Sequence, residues 1–133
     1  MPYLNVKVSV ALSPGVPQRI ATSLTDLTAQ VLGKKKELTS VAVEHVPPEQ
    51  WFIGGVSVHS EAHATVYLDI KVTEGTNTKE EKAAYVKQAF AALESILGKL
   101  DPASYVVVHD VRADAWGYGG ETQELRYIRG KPL

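Results

Sequence analysis

The sequence contains no cysteine, which removes disulfide bridges, thiolate metal ligands and a cysteine nucleophile together. It has only four arginines and a net charge of −1, too little positive charge for a groove that tracks nucleic-acid phosphates or an acidic membrane surface. No apolar run approaches the roughly 18 residues of a membrane span, and the N-terminus lacks the apolar stretch of a signal peptide. The expectation is a cytoplasmic enzyme or binding protein. Four histidines are present, His45, His59, His63 and His109, but no spacing puts two on one helix face, so no metal site is expected. No Ser-His-Asp arrangement can be argued from order alone. The basic run Lys34, Lys35 and Lys36 is followed at once by Glu37 and reads as a solvated helix end.

What the sequence has is a repeat. Residues 32–55 (LGKKKELTSVAVEHVPPEQWFIGG) align without a gap on residues 97–120 (LGKLDPASYVVVHDVRADAWGYGG), and nine of 24 positions are identical. Unrelated segments of ordinary composition would share about one or two. The opening strand repeats as well: Tyr3-Leu-Asn-Val-Lys-Val8 matches Tyr67-Leu-Asp-Ile-Lys-Val72. The 133 residues are one domain's worth of chain. They divide into a first copy over 2–60, a second over 64–122, and a tail over 123–133.

Each copy reads as strand, helix, strand. Leu4, Val6, Val8 and Val10 alternate with Tyr3, Asn5, Lys7 and Ser9, the period of two of a half-buried strand. Val66, Leu68, Ile70 and Val72 repeat the pattern. Ile20, Leu24, Leu27 and Val31 fall on one helical face, with Pro17 in the first turn and Gly33 just past the end. Val86, Phe90, Leu93 and Leu97 do the same in the second copy, after a capping-box start at Thr78 and Glu81. Closing strands are expected at about 39–46 and 104–111. A helix between two strands makes a right-handed crossover and a parallel strand pair. Two such units predict an α+β fold: a four-stranded mixed sheet with both helices on one face. The other face then displays Tyr3, Asn5, Lys7, Tyr67, Asp69 and Lys71, too polar for a core and too aromatic to stand idle; burial in a symmetric oligomer would account for it, against plain solvent exposure. Gly54-Gly55 and Gly119-Gly120 read as turns, since no helix opens after them.

The copies differ at one telling place. Where the second begins at Val66, the first has Pro2. A proline is tolerated at the first position of a strand. If Met1 is excised, the same residue becomes a terminal secondary amine.

With that proline, the strand–helix–strand repeat and the Trp-x-x-Gly-Gly turns in view, the chain resembles the tautomerase superfamily, as a double-length member. Pro2-Tyr-Leu-Asn-Val, Leu38-Thr-Ser-Val41 and Trp51-Phe-Ile-Gly-Gly55 are similar, in order, to the 4-oxalocrotonate tautomerase group. Leu24-Thr-Asp-Leu-Thr28, Leu32-Gly-Lys34 and Val41-Ala-Val-Glu-His-Val-Pro47 look like the migration-inhibitory-factor group, and Asp114-Ala-Trp116 like the malonate semialdehyde decarboxylase group.

The resemblance implies a homotrimer without cofactor or metal, acting on a small carboxylic acid, its site completed by a neighbouring subunit. Pro2 would be the general base of a keto–enol tautomerase acting on a small 2-oxo or unsaturated acid. An α-amino group titrates near 7.7–8.0, and an apolar pocket lowers that value. Lys34 matches a lysine that binds the substrate carboxylate, and Tyr105 a pocket tyrosine reaching across the interface. Trp51 and Trp116 match the aromatic position that lines the pocket. The plainer readings stand beside these: both tryptophans packing over a turn, and Lys34 as an exposed helix end, since Lys99 repeats it. In a hydratase, dehalogenase or decarboxylase-like lyase the proline is instead an acid. With Met1 retained, Pro2 has no basic nitrogen, and a non-catalytic trimeric binding module is the reading left.

The chain departs from the family at its cations. Arginines that hold dicarboxylates in the 4-oxalocrotonate tautomerase group fall at Ala11 or Leu12 and at Ala42. The paired arginines of the lyase groups are expected between Val72 and Thr78, where the chain has Thr73-Glu-Gly-Thr-Asn77, and the dehalogenase group's histidine aligns with Thr28. Arg112, or Arg126 and Arg129 in the tail, are the expected replacements, from another subunit.

Overall fold

Alternation of apolar residues in two segments and helical spacing in two others leave one way to bury everything at once. The computed structural model describes residues 2–60 and 63–130; Met1, on which the expected excision turns, and the last three residues of the tail lie outside that description. The chain runs β1 (Tyr3–Val8), α1 (Val16–Leu32), β2 (Ser40–His45), a hairpin of β3 (Phe52–Ile53) and β4 (Val56–Ser57), then β5 (Val66–Thr73), α2 (Lys79–Leu97), β6 (Tyr105–Val111), a second hairpin of β7 (Gly117–Tyr118) and β8 (Glu121–Thr122), and α3 (Gln123–Arg129).

The main sheet has the order β2-β1-β5-β6. β1 lies parallel to β2 and β5 parallel to β6, while β1 and β5 meet antiparallel with Val6 opposite Leu68. Each half is the expected crossover unit, and the two join through their first strands. Leu4, Val6 and Val8 of β1 and Val66, Leu68, Ile70 and Val72 of β5 are fully buried under the helices. Helices cover one face of these strands, so β-branched and leucine side chains occupy every second position.

The helices bury part of the expected stripes, Ile20 and Leu24 in α1 and Leu93 in α2, with the deepest line displaced to one side of the rest. In α1 the buried line is Ile20, Leu24, Thr28 and Leu32, with Leu27 and Val31 at its flank. In α2 it is Tyr85, Ala89 and Leu93, while Val86 is 39% exposed. The helices pack against each other as well as the sheet, and rows spaced by four residues interlock at that contact. Pattern reading passed over Thr28 and Tyr85 because both are polar. They satisfy one another: Thr28 Oγ1 donates to the Leu24 carbonyl at 2.6 Å and lies 2.9 Å from the Tyr85 hydroxyl.

Helix ends follow the sequence. Gly33 closes α1 in the left-handed conformation, and Thr78 with Glu81 forms a reciprocal capping box on α2. Gly54-Gly55 and Gly119-Gly120 turn the two hairpins with φ of 60° and 78°, and 61° and 80°, the pair of positive angles that a type I′ turn requires. The tail is not an irregular extension. Residues 123–129 form α3, capped by the Thr122 hydroxyl, which accepts from the Leu125 N–H. No helix among the described residues is long and apolar enough to cross a membrane.

Candidate active site

The strand directions sort the expected site residues into two groups. Pro2 precedes β1 and is buried, its carbonyl accepting from the Ser40 N–H. The same end of the sheet receives the finish of β5 and β6 and the turn after α1, which brings Pro2, Lys34, Thr73 and Trp116 to one end of the molecule. Tyr105 starts β6 opposite Tyr67, which itself pairs with Lys7 near the other end. Four residue steps along the strand separate the Lys7–Tyr67 pair from the Tyr3–Lys71 pair, about 13 Å.

At the proline end a cavity of about 480 Å³ opens between the β5–α2 turn and α3. Lys34, Thr73, Glu74, Thr76, Gln123 and Glu124 supply its polar lining, and Pro2 is not among its lining residues. Lys34 Nζ donates to Thr76 Oγ1 at 2.8 Å. Its position is fixed from both sides: Gly33 turns the chain, and the Asn77 side-chain amide donates to the Leu32 carbonyl at 2.9 Å. Partial burial pushes the Lys34 ammonium below its ordinary pKa, while Glu81 and Asp110 pull it back up. Trp116 packs at the same end and donates from its indole N–H to Thr73 Oγ1 at 3.3 Å. That hydrogen bond ties the second hairpin to the end of β5.

Trp51 and Tyr105 come together elsewhere. With Lys7, Phe52 and Tyr67 they line a cavity of about 600 Å³ at the far end of the sheet, and Tyr105 is 64% exposed. Pro2 and Lys34 on one side and Trp51 and Tyr105 on the other cannot meet within one chain.

The expected replacement arginines are all engaged within the chain. Arg112 makes two parallel hydrogen bonds to the Asp114 carboxylate at 3.1 Å each, and that pairing holds Asp114 below and Arg112 above their ordinary values. Arg126 donates to the Tyr118 carbonyl, lies 3.9 Å over the Tyr118 ring and 3.4 Å from Glu121, while Arg129 reaches Glu121 at 2.6 Å. These contacts fix the second hairpin and α3. Thr28, where the lyase-type histidine aligns, is sealed in the helix–helix contact against Tyr85.

Sequence reading missed Gln123. Its backbone is fixed by donation to the Trp116 carbonyl, and its side-chain Nε2 is buried with no hydrogen-bond partner. The signal was available in the repeat, since the counterpart of Gln123 in the first copy is the apolar, buried Val58.

A repeated strand–helix–strand unit opening on proline, with a Trp-to-Gly-Gly hairpin after each half, defines a class of protein. The family model described as Tautomerase enzyme matches the chain twice, over residues 2–61 and 67–126. The chain belongs to the tautomerase family. Among solved structures it is similar to a fused 4-OT wild type symmetric trimer, at 19% identity and TM-score 0.82 over 97% of this chain and 99% of that one. It is also similar to Pt0534 inactivated by 2-oxo-3-pentynoate, at 16% identity and TM-score 0.81 over 92% and 98%. A macrophage migration inhibitory factor-like protein from Entamoeba histolytica shares the fold at 20% identity and TM-score 0.72 over 91% and 97%. At these identities the likeness carries the fold. No curated protein sequence matches the chain.

Proposed function

We propose that the chain is a cofactor-independent keto–enol tautomerase in which Pro2, freed by removal of Met1, is the general base toward a small 2-oxo or unsaturated monocarboxylic acid. The observation that carries this reading is the placement of Pro2. It is buried at the start of a central strand, one position beyond the Tyr3–Lys71 pair, at the end of the sheet where the Lys34 cavity opens. Low-dielectric surroundings penalise the ammonium form of a terminal amine and lower its pKa toward neutrality. A neutral secondary amine then takes the proton α to the carbonyl and returns it to carbon or oxygen at the other end of the enol. Lys34 holds the carboxylate that fixes the acid in place.

The reading includes a trimer. The sheet face away from the helices carries Tyr3 at 39% exposure and Tyr105 at 64%, and the hairpin leaves Phe52 at 59%. Packing that face against neighbours would cover these rings and carry Trp51 and Tyr105 of one subunit toward Pro2 and Lys34 of the next. A fold relative is described as a symmetric trimer, and another as inactivated by a 2-oxo acid, which agrees with both parts.

The test is intact mass of the protein from its own host together with phenylpyruvate tautomerisation by wild type and Pro2→Ala. A mass lacking Met1 and loss of turnover in Pro2→Ala are expected. Turnover that survives the substitution would overturn the proposal, and retained Met1 with no turnover would leave the binding-module reading in its place.

A further inference from the structure

The two acidic residues in the Lys34 cavity have no place in the chemistry above. Glu74 and Glu124 line it beside Lys34 and Gln123. The charges of the surroundings extend this. Glu81 and Asp110 act on Lys34, and Asp110 already has Lys82 at 2.7 Å. Arg112 feels Glu74 and Glu124 but spends its guanidinium on Asp114. Of the charges lining the cavity itself, Glu74 and Glu124 are two carboxylates against the one ammonium of Lys34. A single carboxylate seated on Lys34 is attracted locally. A second anionic group a few ångströms away meets Glu74 or Glu124 instead, since Lys34 is the one cation among the described residues that line the cavity.

The second observation is the orphaned amide. A buried N–H donor without an acceptor costs on the order of 1–3 kcal/mol. Gln123 Nε2 is such a donor on a residue that lines the cavity. An acceptor oxygen supplied by a ligand would satisfy it.

We propose that Gln123 is a positioning residue for the substrate carboxylate together with Lys34, and that Glu74 and Glu124 select acids whose far end is uncharged or cationic against dicarboxylates. This rests on the Lys34 cavity being the acid-binding end of the tautomerase site, but not on Pro2 being basic. Gln123 donates to a carboxylate oxygen that Lys34 Nζ also contacts; the acidic pair sets the sign of charge tolerated beyond it. The absence of dicarboxylate-holding arginines then has a positive counterpart, a rim that rejects the second carboxylate.

The experiment compares three six-carbon probes that differ only at the far end: hexanoate, adipate and 6-aminohexanoate. Binding to the full-length protein is followed by amide and side-chain chemical shifts at low ionic strength. Adipate should bind about tenfold more weakly than hexanoate, and 6-aminohexanoate at least as tightly as hexanoate. Gln123→Leu should weaken all three by a similar factor of about three to ten, whereas the double substitution Glu74→Gln with Glu124→Gln should raise adipate affinity by more than hexanoate affinity and so narrow the ratio between them. The Gln123 side-chain amide resonances should move on binding. Adipate binding as well as 6-aminohexanoate, an unaltered ratio in the double variant, or no binding of any probe would overturn the proposal. The same titration in Pro2→Ala separates the two claims: unchanged binding order there, with no turnover in wild type, would defeat the catalytic reading and keep this one.

Discussion

The duplication built two cavities from the same six positions. Lys34, Thr73, Glu74, Ala113, Gln123 and Glu124 line one. Their counterparts Lys99, Ser9, Val10, Pro48, Val58 and His59 line another, of about 360 Å³, at the opposite end of the sheet. The lysine is common to both; almost everything that would make it useful is not. Glu74 corresponds to Val10, Gln123 corresponds to Val58, and at the strand that opens beside each cavity Pro2 in one copy corresponds to Val66 in the other. Scaffold is conserved by the physics of the repeat, since each half must bury the same strand and helix faces. The linings diverge in polarity, Glu74, Gln123 and Glu124 in one against Val10, Val58 and His59 in the other, and an unpaired buried polar group such as the Gln123 amide carries a cost that Val58 does not.

The largest break in that comparison is at the strand starts. Pro2→Ala should lower kcat/KM toward a phenylpyruvate-type substrate by about 10²- to 10⁴-fold, the usual weight of a general base. Val66→Ala, at the corresponding place in β5, should cost stability through its fully buried side chain and leave the rate per folded molecule intact. Equal losses of rate in both would mean that the two ends are not chemically distinct.

The helix contact sharpens the comparison in the core. Ile20 and Leu24 of α1 correspond to Tyr85 and Ala89 of α2, and Thr28 corresponds to Leu93, all fully buried. The repeat thus exchanged an apolar pair for a hydrogen-bonded one across the pseudo-twofold. Thr28→Val strands the Tyr85 hydroxyl and should lower unfolding free energy by about 1–3 kcal/mol, more than Tyr85→Phe, after which Thr28 still donates to Leu24. Burial also pushes the Tyr85 phenol up to about 12 from the usual 10.0. The unfolded chain loses that proton first, so stability should be intact below pH 10 and decline from there toward pH 12 as unfolding releases it. Denaturant melts of wild type and Tyr85→Phe across that range should converge as pH rises.

The two lysines give the next effect. Lys34→Ala should raise KM about tenfold through loss of a charge-assisted contact to the carboxylate, and Lys99→Ala should leave KM unchanged. A matching effect at Lys99 would make the second cavity a site in its own right.

How far the sequence led depends on which residues carried the signal. Period-two alternation in residues 4–8 and 66–72 and the caps at Gly33 and Thr78 placed the sheet, both crossovers and the helix ends within a residue or two. The expected stripes caught Ile20, Leu24 and Leu93 but not Thr28 and Tyr85, which are polar, or Ala89, which is small, although packing against a second helix buries all three. Residues 123–129 carry no long apolar period, so α3 appeared only as a tail. Site legibility was uneven for a related reason. Pro2 and Lys34 stand out by position and charge, whereas Gln123 is defined by a missing partner, which no spacing reveals. Arg112, Arg126 and Arg129 looked like spare cations in a chain with few of them, and their engagement with Asp114, Tyr118 and Glu121 depends on a hairpin that folds them back.

The smallest effect tests how the helix starts differ. α1 begins at Gly15 without a side-chain cap, while Thr78 accepts from the Glu81 N–H and the Glu81 carboxylate accepts from the Thr78 N–H at 2.8 Å. Thr78→Ala should cost about 1 kcal/mol of unfolding free energy. The hydrogen bond from the Thr78 N–H, with that from the Asn77 amide, holds the Glu81 carboxyl below its ordinary value. The carboxylate's share of the cap is therefore present above the usual glutamate range and lost as pH falls through the lowered value. The site should feel this weakly. Asn77 ties the start of α2 to the end of α1, and Thr76 holds Lys34, so a loosened cap should raise KM by less than about threefold and leave kcat alone. A fall in kcat instead would place the α2 start closer to the reacting atoms than the Lys34 cavity does.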